Sequence, residues 1–139
     1  MKIAVIGFGK MGSWLAKSLA VENEVAVYDI DSTKTSNAGN LNVLSEPAEI
    51  EAFGPEMLIN AVNLQNVISV FESAAKYLAS GCIISDVASI KGNLPQYYKK
   101  SGFRFASVHP MFGPTFAKMD SLKDENAIII SESDKTAVA

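Results

Sequence analysis

Residues 2–12 read K-I-A-V-I-G-F-G-K-M-G, and this stretch decides the fold that we predict for the chain. Lys2–Ile6 is a short apolar, β-branched run of the kind found in buried strands. The glycines that follow open a segment in which Met11, Leu15 and Leu19 share the spacing of one helix face. A G-x-G-x-x-G turn between a strand and a helix is the context in which this motif binds a dinucleotide.

Each glycine of the motif has its own expected task. Gly7 permits the tight turn, Gly9 lets a pyrophosphate approach the backbone because it has no Cβ, and Gly12 lets the helix pack close to the strand. The start of the helix offers free N–H groups and the positive end of its dipole to phosphates. A glycine-rich turn without a ligand is the alternative, but the flanking strand and helix favour a nucleotide site.

An acidic residue follows the second predicted strand. Asp29 lies seventeen positions after Gly12, where a carboxylate can accept hydrogen bonds from the adenosine ribose and would repel a 2′-phosphate. This favours NAD over NADP, although Lys34 could pair with a 2′-phosphate; a solvated turn aspartate is the alternative, since Asp31 is close by. We expect the first thirty residues to form the pocket. The expected cofactor contacts are Gly7, Phe8, Gly9, Lys10, Met11, Gly12, Asp29, Ala61 and Val62.

The rest of the chain alternates strands and helices. Further strands are predicted at Glu24–Tyr28, Asn42–Leu44, Met57–Val62, Cys82–Val87, Arg104–Val108 and Ala127–Ser131. Helices are predicted at Met11–Val21, Pro47–Phe53, Val67–Leu78 and Asn93–Lys100, with Gly81 as a C-cap. Because strands that are apolar throughout are buried on both faces, the predicted fold class is α/β. We expect a Rossmann-type, doubly wound, mostly parallel sheet of about six or seven strands with helices on both faces, in one domain over residues 1–139.

The composition limits the possible functions. With 139 residues and 48% hydrophobic content, the chain is long enough for one continuous core. A net charge of −3 gives no general attraction for phosphate backbones, so nucleic acid is not an expected partner. No apolar run could span a bilayer and no leader precedes the first strand, so we expect a soluble cytoplasmic protein. Cys82, the single cysteine, is expected to be a small buried hydrophobic residue, and no metal site is predicted.

Two polar segments follow the fifth and sixth predicted strands, at the edge where α/β sheets bind ligands. Residues 85–92 read S-D-V-A-S-I-K-G, and residues 108–114 read V-H-P-M-F-G-P. His109, the only histidine, is a candidate catalytic group because it lies in a turn stiffened by proline and glycine beside the predicted nicotinamide site. A structural hydrogen-bonding role is its alternative. Ser89 could bind the same substrate or could cap the helix that follows.

Together these motifs resemble the nucleotide-binding domain of prephenate and arogenate dehydrogenases, the enzymes of tyrosine biosynthesis. The resemblance covers essentially the whole chain, and D-x-x-S-x-K and H-P-M-F-G-P are its more specific parts. It implies NAD-dependent oxidative decarboxylation of prephenate or arogenate. His109 would accept the hydrogen bond of the ring hydroxyl, and Ser89 would help to position the substrate. The resemblance also implies a helical C-terminal domain, absent from this chain, that forms the homodimer and binds substrate carboxylates.

Some features leave alternatives open. The only arginine, Arg104, lies early in a predicted strand, which is a poor place to bind the two carboxylates of prephenate. Lys91, Lys118 and Lys123 are the next candidates for that task. The chain could belong to another dehydrogenase with the same domain, such as a hydroxyacid or imine reductase. A non-enzymatic NAD-sensing module is the second alternative, and it would bind NAD without a functional need for His109.

Overall fold

The computed structural model describes residues 1–113 and 125–138. Within these ranges the strands, β1 to β7 in chain order, are Lys2–Ile6, Glu24–Tyr28, Asn42–Val43, Met57–Asn60, Ile83–Asp86, Arg104–Pro110 and Ala127–Ile129. The helices, α1 to α6, are Lys10–Leu19, Ser32–Thr35, Glu49–Phe53, Val67–Ala75, Leu94–Ser101 and Lys135–Val138. A 3₁₀ turn at Leu64–Asn66 leads into α4.

All of these strands form one sheet in the order β3-β2-β1-β4-β5-β6-β7. The first six strands are parallel, and β7 runs antiparallel to β6. The strand order reverses between β1 and β4, and the crevice at such a reversal is where open α/β sheets bind ligands. The predicted Rossmann-type α/β fold is confirmed.

The five inner strands bury side chains on both faces of the sheet, whereas β3 and β7 at its edges are exposed. Ile3 and Val5 of β1 pack in one core cluster with Ala16 of α1, whereas Ala4 and Ile6 pack in the other cluster. The second cluster contains buried apolar residues of α3, α4 and α5: Ile50, Phe53, Val67, Phe71, Ala74, Leu94 and Tyr98. Because alternate residues of a strand point to opposite faces, this two-sided burial explains why the strands are apolar throughout.

Helix α1 meets the sheet through small residues and through two of the three residues of the predicted stripe. Gly12 and Ala16 are its buried residues, and Leu15 and Leu19 pack partly buried against the same cluster. Met11, which was expected to begin the apolar stripe, belongs to neither core cluster. Small residues on the buried face let the helix approach the sheet closely, which brings its N-terminus next to the end of β1.

The prediction that Gly81 caps α4 is wrong. The helix ends at Ala75 with Lys76 as its C-cap, three residues before the predicted end at Leu78. The segment after Ala75 is closed by hydrogen bonds between residues three apart, which tighten the chain into a turn before Gly81 is reached. Gly81 accordingly does not have the positive φ of a C-cap glycine.

Candidate functional site

A cleft of about 470 Å³ opens at the carboxyl edge of the sheet, where the strand order reverses. Gly7, Asp29 and Ala61 directly follow β1, β2 and β4, and all three line the cleft. The opposite wall is α4 and the turn before it, through Asn66, Ser69, Val70 and Ser73. Residues within the first thirty line one side of the cleft, as expected, and much of the rest of its wall comes from residues 61–74, which include the expected Ala61 and Val62. The volume is that of a typical small-molecule site.

In the glycine-rich turn, two glycines lie close to other backbone atoms and one glycine faces open space. Gly7 has φ +93°, and a Cβ there would lie 2.8–2.9 Å from backbone atoms of Ala61 and Val62. A Cβ on Gly12 would overlap the carbonyl oxygen of Gly7. A Cβ on Gly9 would meet nothing within 4 Å, and Gly9 lines the cleft. Gly7 and Gly12 therefore serve packing, whereas Gly9 leaves space on the side of the cleft.

Helix α1 points its N-terminus at this space. Gly9 is the N-cap, no side chain caps the helix, and the first helical hydrogen bond runs from the Ser13 N–H to the Gly9 carbonyl. The N–H groups of Lys10, Met11 and Gly12 precede that bond and have no partner within the helix. Lys10 and Met11 are not among the residues that line the cleft. Free amides and the helix dipole make this terminus suitable for an anion.

Asp29 is buried at the edge of the cleft, so the alternative of a solvated turn residue is wrong. The residue is 8% exposed. Its Oδ2 accepts a hydrogen bond from the Phe8 N–H at 2.7 Å, and its Oδ1 accepts one from the Asp31 N–H at 2.9 Å. Phe8 itself is buried in the core, with its N–H engaged by Asp29, so it serves the fold rather than the cleft. The carboxylate thus ties the glycine-rich turn to the end of β2.

Two charged neighbours of Asp29 have separate roles. Asp31 is the N-cap of α2, and hydrogen bonds from the hydroxyl and the N–H of Thr33 hold the pKa of its carboxyl below the usual value. Lys34 places its Nζ 3.5 Å from Oδ1 of Asp29, and its side chain is about half exposed at the cleft. A cation therefore stands beside the carboxylate that was expected to reject a 2′-phosphate.

Asn60 was not among the predicted site residues. Strand β4 ends at this residue, two positions before the predicted end at Val62. Its buried side chain donates from Nδ2 to the Val67 carbonyl at 2.9 Å, and its Oδ1 accepts from the Val62 N–H at 3.4 Å. These bonds hold the bend in which Ala61 and Val62 leave the sheet and line the cleft. A polar residue closing an apolar run was the available signal.

His109 lies within a strand, not in the turn that was predicted. Strand β6 continues through Pro110 because β7 pairs with it, and His109 stands opposite Ile128 in that antiparallel register. The residue is half-buried at the carboxyl edge, beyond the lining of the cleft. Phe112 follows it and packs edge-on against Trp14 of α1, with ring centroids 5.4 Å apart. The segment after His109 therefore reaches back to α1. Pro114 lies outside the described residues.

Ser89 is exposed in the loop between β5 and α5. The alternative that it caps α5 is wrong, because α5 begins at Leu94 with Asn93 as its N-cap. Strands β5 and β6 follow β4 in the sheet, so Ser89 and His109 stand at the same edge as the cleft. With neighbouring strands about 4.8 Å apart, β6 lies about 10 Å beyond β4.

A buried carboxylate links β5 and β6, and its role was not predicted from the sequence. Asp86, the last residue of β5, is fully buried. Its Oδ2 accepts hydrogen bonds from the Tyr98 hydroxyl and the Ser107 hydroxyl, each at 2.5 Å, and Lys91 Nζ lies 2.7 Å from its Oδ1. Burial, and then the charge of Asp86, raise the pKa of Tyr98. The acid of D-x-x-S-x-K at the end of a buried strand was the signal for this cluster.

The cations proposed for substrate carboxylates are not available as expected. Arg104 begins β6 at the opposite edge of the sheet, where it donates to the Gly81 carbonyl and the Thr136 hydroxyl. Lys91 is engaged by Asp86. Lys118 and Lys123 lie outside the described residues.

Residues 1–113 and 125–138 contain neither a candidate metal site nor a candidate membrane span. No three His, Cys, Asp or Glu side chains come together there as ligands for a metal ion. No helix in these ranges has the length and apolar character needed to cross a membrane. Cys82 is 2% exposed, as expected of a small buried residue, and burial raises the pKa of its thiol to about 11.

Comparison with known proteins agrees with this architecture. Over 124 residues, the chain is 28% identical to arogenate dehydrogenase 1, chloroplastic, of Arabidopsis thaliana, covering 85% of this chain and 19% of that protein. A crystal structure of prephenate dehydrogenase from A. aeolicus in complex with hydroxyphenyl propionate and NAD⁺ superimposes with a TM-score of 0.83 at 20% identity, covering 98% of this chain and 53% of that one. Arogenate dehydrogenase of Synechocystis gives 0.77 at 17% identity, covering 98% and 52%.

These structural likenesses show the shared fold, and the chain spans about half the length of those solved chains. The family is shown by the sequence. A family model described as "Prephenate dehydrogenase, nucleotide-binding domain" matches residues 15–138, nearly the whole chain. The resemblance carried by the three motifs is thereby confirmed, and the chain belongs to the family of prephenate dehydrogenase nucleotide-binding domains.

Proposed function

We propose that the cleft binds NAD, with the pyrophosphate at the N-terminus of α1 and the adenosine ribose at Asp29. The open space at Gly9 supports this, because a pyrophosphate there would meet unpartnered N–H groups and no Cβ. Asp29 is held in place by two backbone N–H groups, and a carboxylate oxygen has more than one acceptor site, so it can still accept from a ribose hydroxyl. Lys34 reduces the repulsion of a 2′-phosphate, so we expect a measurable preference for NAD rather than absolute rejection of NADP.

We propose further that the protein carrying this chain oxidises and decarboxylates prephenate or arogenate. Bound NAD⁺ supplies the acceptor for the hydride that leaves the ring carbon bearing the hydroxyl. The His109 imidazole accepts the hydroxyl proton, which drives electron density toward that carbon, and carbon dioxide leaves as the ring becomes aromatic. The Ser89 hydroxyl hydrogen-bonds the substrate and orients it.

The observation that carries this proposal is the position of Ser89 and His109. Ser89 lies in D-x-x-S-x-K after β5 and His109 lies in H-P-M-F-G-P near the end of β6, so both stand at the same carboxyl edge of the sheet as the cleft. Because Arg104 lies at the opposite edge, the substrate carboxylates need cations from elsewhere. We propose that these come from a further domain or a second subunit.

The test is NADH formation from prephenate and from arogenate by the longest form of the protein that the reading frame encodes, with NAD⁺ and NADP⁺ compared. Turnover of either substrate, lost in His109→Asn, supports the proposal. Turnover of a hydroxyacid or an imine, with neither prephenate nor arogenate consumed, would assign the chain to another dehydrogenase. The protein could instead bind the nucleotide without reducing it with any substrate. If His109→Asn also left that binding unchanged, the result would indicate a sensing module.

A further inference from the structure

We propose that Asp86 and Lys91 are positioning residues that hold Ser89 and His109 in a fixed relation across the β5–β6 pair. The roles of Ser89 and His109 toward a substrate rest on the function proposed above. The linkage itself rests on geometry within the chain, and it is tested by a measurement that needs no substrate.

The Asp86 carboxylate is saturated by groups from three parts of the chain. Oδ1 accepts from the Ala88 N–H at 2.9 Å and from Lys91 Nζ at 2.7 Å. Oδ2 accepts from the hydroxyls of Tyr98 and Ser107. A carboxylate offers about four acceptor positions, so all of them are used inside the protein. Asp86 therefore has no capacity left for a ligand, and its chemistry is internal.

The groups on Oδ1 flank Ser89. The Ala88 N–H lies just before Ser89 and Lys91 lies two residues after it, and both are tied to the same oxygen. Residues on both sides of Ser89 are therefore hydrogen-bonded to the same buried atom, Oδ1 of Asp86.

Lys91 carries the linkage to the next strand. Its Nζ also donates to the Val108 carbonyl at 2.8 Å, and its side chain is only 15% exposed. Val108 is the residue directly before His109, and Ser107 before it is opposite Asp86 in the β5–β6 register. One ammonium group therefore bridges the Ser89 loop and the backbone that presents His109.

Stability alone gives a weak reason for this arrangement. A buried ion pair is costly to desolvate, and apolar residues of similar volume often replace such a pair without loss of stability. A charge-assisted network does, however, fix the groups bound to it more tightly than apolar packing does. Since the bonded groups adjoin Ser89 and His109, the network sets their separation.

The single histidine makes the test direct. In the untagged 139-residue chain, the imidazole Cε1–H gives one proton NMR signal, and its chemical shift at fixed pH reports the surroundings of His109. We expect this signal to move in Lys91→Met and to return most of the way in Lys91→Arg, which keeps the charge and the donors. Tyr98→Phe is the matched control, because it removes a bond to Oδ2 and leaves the Lys91 bridge intact.

The double variant Asp86→Asn with Lys91→Met covers the case in which Lys91→Met does not fold, since it removes both charges together. A folded variant without the bridge whose imidazole signal matches the wild type would overturn the proposal. So would a shift in Tyr98→Phe as large as that in Lys91→Met, because the effect would then be general destabilisation.

Activity supplies the second readout. In the longest encoded form, loss of the bridge should lower kcat by about 10–100-fold with KM changed by less than about threefold, and Lys91→Arg should recover part of kcat. If Tyr98→Phe changed KM and kcat as much as loss of the bridge does, the positioning role would be contradicted. If the wild type turns over neither prephenate nor arogenate while the imidazole signal still depends on Lys91, the proposed function fails and the positioning stands.

Discussion

Gly9 and Gly12 lie three residues apart, yet a side chain at each would meet opposite surroundings. A Cβ at Gly9 enters open space, whereas a Cβ at Gly12 overlaps the Gly7 carbonyl. We therefore expect Gly9→Val to keep the fold and lose nucleotide binding, and Gly12→Val to lose the folded state. Circular dichroism and a calorimetric titration on both variants measure this. Nucleotide binding retained in Gly9→Val would show that the glycine serves the turn alone.

Asp29 is expected to set the preference for NAD. In Asp29→Asn the ribose loses a hydrogen bond and a 2′-phosphate is repelled less. The difference between the binding free energies of NAD and NADP should therefore narrow by about 1–3 kcal/mol. The asparagine keeps one oxygen for the Phe8 N–H, so the fold is retained. Asp31→Asn is the control, because its carboxylate caps α2 instead. Titration of both dinucleotides checks the prediction, and an unchanged difference in Asp29→Asn rejects the assignment.

His109→Asn should act on the chemical step. A general base contributes about 10²–10⁴-fold, and its effect is strongest as the hydroxyl proton moves. In the longest encoded form, kcat should fall by that factor while KM changes little. Steady-state kinetics with prephenate and arogenate measure the two constants. A near-normal kcat would return His109 to a structural role.

Between elements, the buried Asp86 carboxylate joins α5 to β5 and β6. Tyr98 donates from the core to the buried Asp86, and hydrogen bonds to charged groups contribute about 1.5–3 kcal/mol. Tyr98→Phe should therefore lower the free energy of unfolding by about that amount. Tyr97→Phe is the matched control: its ring stacks on Phe71, and its hydroxyl bonds no described residue. Urea denaturation of both variants gives the comparison, and equal losses would contradict the role of the Asp86 bond.

The elements were predictable where the signal is local. The apolar strands and the glycine-rich turn reflect burial and backbone sterics within a few residues, and both occur as expected. The bonds of Asp86 join residues 86, 98 and 107, and no local pattern shows that they meet. The extension of β6 through His109 depends on pairing with β7, which is likewise non-local. The positions of Gly7 and Asp29 after strand ends could therefore be predicted, whereas the contacts of Asp86 could not.

For the whole molecule, Cys82 offers a probe of global unfolding. It is 2% exposed with a thiol pKa of about 11, and it precedes β5 at the edge of the sheet opposite the cleft. A bound nucleotide cannot shield it directly. A ligand at 100 times its Kd stabilises the native state by about 2.7 kcal/mol, so NADH should slow modification of Cys82 by a thiol reagent about 100-fold.

Gly9→Val provides the control for this measurement, because its rate of modification should not respond to NADH. A wild-type rate that NADH leaves unchanged would mean that Cys82 becomes accessible through a local opening that does not disrupt the cleft.

The close fit of Gly7 against Ala61 also bears on the order of folding. These residues are 54 positions apart, and the Ala61 N–H donates to the Ile6 carbonyl at 2.8 Å. The glycine-rich turn therefore acquires its wall only after β4 has paired with β1, which closes a loop of about fifty residues at an entropic cost. A nascent chain that has exposed the whole G-x-G-x-x-G motif but not yet β4 would have little affinity for nucleotide. Although the motif is local in sequence, ligand binding would arise late, as a product of chain topology.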